Sequence, residues 1–197
     1  MKTYNIFISG VGGQGIGLLS EILIRAADHA GYTVKAVDTH GLAQRGGIVI
    51  SQLRIGQTVY TPLIPEQEAD LVVCMERNEA LRALNLMARE NGSLVYYDTV
   101  WQPLDVRLGE AIEIDNKVIK ERCKKRNIRL IRVFIPDLGD IRMQNVAVLA
   151  TMDKGGLIEG VNTQHYHQAM DDLMSGGVLE NNLSLFDRVR AETTTSN

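Results

Sequence analysis

Cysteine is scarce in this sequence: Cys74 and Cys123 are the only two, 49 residues apart, and neither belongs to a Cys-x-x-Cys pair. An iron–sulfur cluster usually takes four thiolates, so the chain cannot ligate one alone, and any electron path through such clusters runs in another chain. Cys74, inside the apolar run 71–75, reads as a small core residue. An excess of positive charge is missing as well. The net charge is −3 and the pI about 5.8, which gives no general attraction to nucleic acid or to an anionic membrane surface. Long apolar runs are lacking too. The longest uncharged stretch, residues 3–20, contains five glycines together with Asn5 and Gln14, so neither a spanning helix nor a signal peptide is indicated and a cytoplasmic protein is expected. Catalytic groupings are equally sparse, for no Ser/His/Asp set can be ordered from spacing and no carboxylate pair stands out. His165-Tyr166-His167 is not a metal pair, because residues two apart on a helix point to different sides. No cofactor is therefore expected to be bound by this chain alone.

What the sequence does have is a core and two glycine-rich loops. With 197 residues, 45% of them hydrophobic, it is long enough for one well-buried core and short for two, so one domain is expected over residues 1–190, followed by a flexible tail at 191–197. The first loop, "GVGGQGI", places Gly10, Gly12 and Gly15 in Gly-x-Gly-x-x-Gly spacing between a strand pattern at 4–9 and a helical face marked by Leu19, Leu23, Ala26 and Ala30. In that setting the glycines let the backbone turn sharply, and the free N–H groups and dipole of the new helix favour an anion. Gly13 and Gly17 add freedom, and Gln14 is expected to offer an amide at the tip. Asp38 ends a second strand pattern, 23 residues after Gly15, roughly where a ribose-binding acid would stand in a dinucleotide site.

The second loop weakens the simple Rossmann reading. "THGLAQRGG" separates the strand at 33–37 from the next at 48–55 by too few residues to hold a complete crossover helix. Gly56-Gln57 then reads as the turn of a β-hairpin leading to residues 58–60. Strand and helix alternate thereafter, with strands at 69–75, 93–97, 111–114 and 129–134 and helices at 78–89, 117–126, 144–152, 163–174 and 183–189. The expected fold is α/β, a three-layer α/β/α arrangement that is Rossmann-like with a mixed sheet. Asp38, His40, Gln44 and Arg45 stand among glycines beside the expected end of that sheet, where α/β proteins place ligands. Arg45 suits a carboxylate or phosphate, and Gly46-Gly47 would let that group approach. Residues 117–132 carry eight basic side chains and one acid, a local +7 that leaves −10 on the other 181 residues. That run is either a solvated helix face or a docking surface for an acidic partner.

Taken together, "GVGGQGI" at 10–16 and "HGLAQRGGIVISQLRIG" at 40–56 resemble the gamma subunit or domain of the 2-oxoacid:ferredoxin oxidoreductases, and within them the beta chain of the indolepyruvate branch, which is that branch's gamma-type chain. Leu42-Ala43 before Gln44 is a small apolar departure from the commoner wording. The resemblance implies an enzyme subunit inactive alone. Its larger catalytic partner would hold thiamine diphosphate and iron–sulfur clusters, coenzyme A would be co-substrate, and ferredoxin would receive the electrons through the complex. It implies a contact surface with Gly10, Gly12, Gly13, Gln14 and Gly15 on one edge and His40, Gln44, Arg45, Gly46 and Gly47 on another, facing coenzyme A, the substrate or the partner subunit. A free-standing NAD- or FAD-binding oxidoreductase domain, a non-enzymatic binding module and self-association into a homodimer in isolation stay open beside this reading.

Overall fold

The structure is a computed structural model and describes residues 3–40, 47–100 and 114–192. Among the described residues six strands form one sheet: β1 (Tyr4–Val11), β2 (Thr33–His40), β3 (Ile48–Gly56), β4 (Ala69–Cys74), β5 (Ala88–Tyr97) and β6 (Arg129–Val133), in the spatial order β2-β3-β1-β4-β5-β6. The helices among the described residues are α1 (Ile16–His29), α2 (Arg77–Leu86), α3 (Asn116–Lys125), α4 (Gln144–Lys154), α5 (Thr163–Leu173) and α6 (Gly176–Ala191). None is long and apolar enough to cross a membrane.

The apolar pattern explains the layers. β1 and β4 lie mid-sheet with both faces covered, so Ile6, Phe7 and Ile8 and the whole of β4 are buried without alternation. On one face Ile6, Ile8, Leu53, Leu71, Val73 and Val95 meet α1, α4, α5 and α6; α1 buries Leu19, Ile22, Leu23, Ala26 and Ala27, the spacing of one helix stripe. On the other face Phe7, Val72, Leu94 and Tyr96 meet α2 and α3 through Ala80, Leu84, Ile119 and Cys123. Cys74 and Cys123 are both free thiols buried in this second core. The fold is α/β with helices on both sides of a mixed sheet, as the short second loop required.

Three expectations are corrected. The residues after Gly56 do not form a hairpin strand: β3 pairs antiparallel with β1 on one side and with β2 on the other, so no free edge is left for residues 58–60. Beyond that segment the Ile64 N–H donates to Gln52 Oε1 of β3 at 2.8 Å. The helix expected to reach residue 89 ends at Leu86, because Ala88 already pairs with Ala69 across β4 and β5. Asn91-Gly92 falls within β5, where Asn91 takes a left-handed φ of 59° and the register shifts between that pair and the Leu71–Ser93 pair, so the chain does turn there ahead of residues 93–97. The third concerns α6, which begins at Gly176, seven residues before the expected start. The strand expected at 111–114 falls almost wholly outside the described residues, as does most of the tail at 191–197. His165 and His167 do part company: His165 Nδ1 accepts from the Asn162 N–H in a helix cap, while His167 pairs with Asp187 at 2.9 Å.

Candidate functional site

β1, β4, β5 and β6 run parallel, so their carboxyl ends share one edge of the sheet, where open α/β sheets hold ligands. The glycine turn sits there. Gly15 caps α1 in the left-handed region at φ 73°, and no side chain caps the helix, so the first turn of α1 keeps its backbone donors. The Gly12 N–H donates to the Gly47 carbonyl at 2.9 Å, which ties the first glycine-rich turn to the start of β3.

The glycines divide by what surrounds them. A Cβ on Gly10 would stand 2.6 Å from Ile16 Cδ1, 2.8 Å from Gln14 Oε1 and 3.0 Å from Met75 Cβ, so this glycine exists for packing. A Cβ on Gly15 would come 2.7 Å from Asn145 Nδ2, which itself donates to the Gly15 carbonyl at 3.3 Å and ties the turn to the start of α4. Gly13, at φ 104°, has nothing within 4 Å of that position. It is the open point of the turn.

Gln14 points the other way from the expectation. Its side chain is 4% exposed; Oε1 accepts from the Val11 N–H at 2.8 Å and Nε2 donates to the Met75 carbonyl at 3.1 Å. The amide fastens the end of β1 to the end of β4 instead of facing outward, because two backbone groups left over at the strand ends need partners. Gln44, Arg45 and Gly46 lie outside the described residues; His40 closes β2 opposite Val49. Asp38 is not placed as a ribose-binding acid. β3 separates β2 from β1, and Asp38 Oδ1 accepts from Ser51 Oγ at 2.5 Å.

Charged groups that no motif announced line the rest of the edge. Glu76 follows β4, is 1% exposed and caps α2 by accepting from the Asn78 N–H at 2.9 Å and from the Glu79 N–H. Burial pushes its carboxyl above the ordinary range, against the pull of those backbone donors. Ser9 Oγ donates to Glu79 Oε2 at 2.5 Å and accepts from Arg82 Nη2 at 3.0 Å, while Glu79 and Arg82 pair directly. After β5, Asp98 accepts from Arg77 Nε at 2.9 Å, Asn116 Nδ2 at 2.8 Å and Arg132 Nε at 2.5 Å. The sequence did carry a trace of these groups: Glu76 and Asp98 stand within two residues of the ends of β4 and β5, and Glu76 precedes Glu79 at capping-box spacing. A cavity of about 280 Å³ opens between Asp98, Phe134, Ile135, Leu138 and Gln144, one residue from the Asn145 that holds Gly15. Tyr97 forms part of its wall, its hydroxyl donating to the Ile135 carbonyl at 3.3 Å.

Residues 5–192 match the pyruvate ferredoxin/flavodoxin oxidoreductase family. The chain belongs to that family. Among its curated relatives, indolepyruvate oxidoreductase subunit IorB of Archaeoglobus fulgidus is 33% identical over 183 residues, 91% of this chain and 90% of that one. The IorB subunit of Thermococcus kodakarensis is 43% identical over 112 residues, 56% of this chain; the match spans about half the length of that relative, 54%. A solved 2-oxoglutarate:ferredoxin oxidoreductase from Magnetococcus marinus, with 2-oxoglutarate, coenzyme A and succinyl-CoA bound, shares the fold at a TM-score of 0.69 and 19% identity. The likeness covers 97% of this chain and 31% of that one, so in the Magnetococcus enzyme this family fold is one part of a much longer polypeptide.

Proposed function

We propose that this chain is the cluster-free, gamma-type subunit of a 2-oxoacid:ferredoxin oxidoreductase acting on indolepyruvate or a related aryl 2-oxoacid. A larger catalytic subunit holds thiamine diphosphate and the iron–sulfur clusters, decarboxylates the 2-oxoacid and passes its electrons to ferredoxin, while the acyl group goes to coenzyme A. This chain shapes the wall of the coenzyme A or substrate site. The observation that carries the reading is the glycine turn bonded to Gly47 through Gly12, with Gly13 open, at the carboxyl edge of the parallel strands. Two cysteines, both free thiols buried in a core, agree with clusters residing in the partner. The names of the curated relatives supply the aryl substrate, and the Magnetococcus enzyme supplies coenzyme A.

The test is to purify the chain alone and together with its larger partner. Alone it is expected to be colourless and inactive; the pair is expected to reduce methyl viologen with indolepyruvate and coenzyme A. Stoichiometric iron and sulfide in the lone chain, or 2-oxoacid oxidation by it, would sink the assignment. Arg45 gives a sharper measurement. Set among glycines beside Gly47, its guanidinium suits an anionic group of coenzyme A or a partner carboxylate. Arg45→Ala is expected to weaken that contact by about 1.5–3 kcal/mol, roughly 10- to 150-fold in the affinity it supports, and Arg45→Lys to recover only part. A raised KM for coenzyme A places Arg45 at the ligand and a weaker subunit affinity places it at the interface. If neither moves, Arg45 has no binding role.

A further inference from the structure

Of the eight basic residues between 117 and 132, two bond to backbone carbonyls elsewhere in the fold. Arg126, part-buried, donates to the Leu84 carbonyl at 2.6 Å and to that of Ala88, whereas Arg129 stays exposed and is held at the surface, its Nη1 donating to the Gly155 carbonyl at 3.4 Å. Lys117, Lys120, Arg122, Lys124 and Lys125 of α3 are all exposed, and among the described residues none of them has an ion-pair partner. Elsewhere Arg82, Arg89, Arg142 and Arg190 each hold a carboxylate. Glu121 stands four residues before Lys125, a spacing that favours pairing, and still it pairs with none of the described residues. A merely solvated surface ordinarily mixes both signs. Here residues 117–132 set eight basic side chains against one acid, Glu121, on a chain whose remaining residues sum to −10.

The patch extends onto β6, one lateral edge of the sheet. Arg132, its side chain 52% exposed, lies over the ring of the exposed Phe134 at 5.7 Å. Asn116 at the start of α3 and Arg132 both bond Asp98, so the basic surface adjoins the rim of the candidate site. Its composition decides what kind of contact it fits. Lysine is depleted from the cores of stable interfaces, where desolvating it is costly, whereas clustered exposed lysines around a little apolar surface, here Val118 and Phe134, suit a brief, electrostatically steered encounter.

We infer that α3 and the adjoining end of β6 form the docking surface for the acidic face of the small electron-carrier protein that the complex reduces. This rests on the functional reading above. The chain contributes no redox centre to that step; it holds the carrier against the complex. The test uses the complete complex and an acidic ferredoxin, with methyl viologen as an acceptor too small to need docking. Lys120→Glu, Lys124→Glu and Lys125→Glu together are expected to raise the KM for ferredoxin roughly tenfold at low salt and to flatten its dependence on ionic strength, leaving methyl viologen reduction unchanged. An unchanged ferredoxin KM overturns the inference. So does a parallel fall in both activities with loss of the larger subunit on gel filtration, which would make the patch a subunit interface. A wild-type complex that reduces neither acceptor with any aryl 2-oxoacid overturns the functional reading and this inference with it.

Discussion

Gly10→Ala is expected to destabilise the chain by roughly 2–4 kcal/mol, the added methyl being forced against packed neighbours and a buried hydrogen bond. Ile16 Cδ1 at 2.6 Å can rotate away only into a filled core, and Met75 Cβ at 3.0 Å cannot rotate at all. Gln14 Oε1 at 2.8 Å is worse placed, because it already accepts from Val11 while its Nε2 holds Met75. Displacing that amide strands two backbone groups where the ends of β1 and β4 meet. For a domain of this size the loss corresponds to a fall in Tm of very roughly 5–15 °C. Gly17→Ala is the control. Nothing stands within 4 Å of its added Cβ, and its position inside α1 favours alanine by up to about 1 kcal/mol. Urea and thermal unfolding of both variants check the argument. A Gly10→Ala protein within about 0.5 kcal/mol of wild type would mean that the turn is looser than described, and that Gln14 is free to face a ligand.

The two glycines with the strongest structural duties were visible in the sequence, but not what the duties were. Spacing alone marked Gly10, Gly12 and Gly15 as one turn; only the packing separates Gly10 and Gly15, which admit Asn145, Gln14 and Met75, from Gly13, which admits whatever comes from outside. The short second loop correctly excluded a crossover helix and so required a mixed sheet, because chain length is a local constraint. Where β3 would insert was not a local matter. Period-two alternation says that residues 48–56 are extended and says nothing about which strands lie on either side, so residues 58–60 were read as its partner when β1 and β2 were. The same limit hid the polar network. Asp98, Asn116 and Arg132 meet across 34 residues of sequence, and Ser9 meets Glu79 across 70. No window of sequence holds those pairs, although the acids at the strand ends marked where to look.

Asp98→Ala is expected to cost about 2–4 kcal/mol near neutral pH. Breaking a buried pair leaves uncompensated charge behind, and the figure is set below the usual range for such a break because Arg132 is half exposed to water. The carboxylate itself is 3% exposed and is the common acceptor for Arg77, Asn116 and Arg132, so its loss unties α2, α3 and β6 at one stroke. The pH dependence gives the identification of the cause. Burial acts to raise the Asp98 pKa, but the hydrogen bonds from Arg77, Asn116 and Arg132 together outweigh it and hold the carboxyl below the ordinary range. A depressed folded-state pKa stabilises the protein above the unfolded value, about 3.9, and that contribution drains away as pH falls through the folded value below it. The gap in unfolding free energy between wild type and Asp98→Ala should therefore be constant from about pH 5 upward and shrink below about pH 4. Glu76 carries the opposite sign, for its raised pKa removes stability as pH climbs above the ordinary carboxyl range, and it is common to both proteins. Subtracting one stability curve from the other cancels it. A gap that stays level down to pH 3 would show that Asp98 acts by filling space at the cavity wall, with its charge on the two arginines contributing nothing measurable.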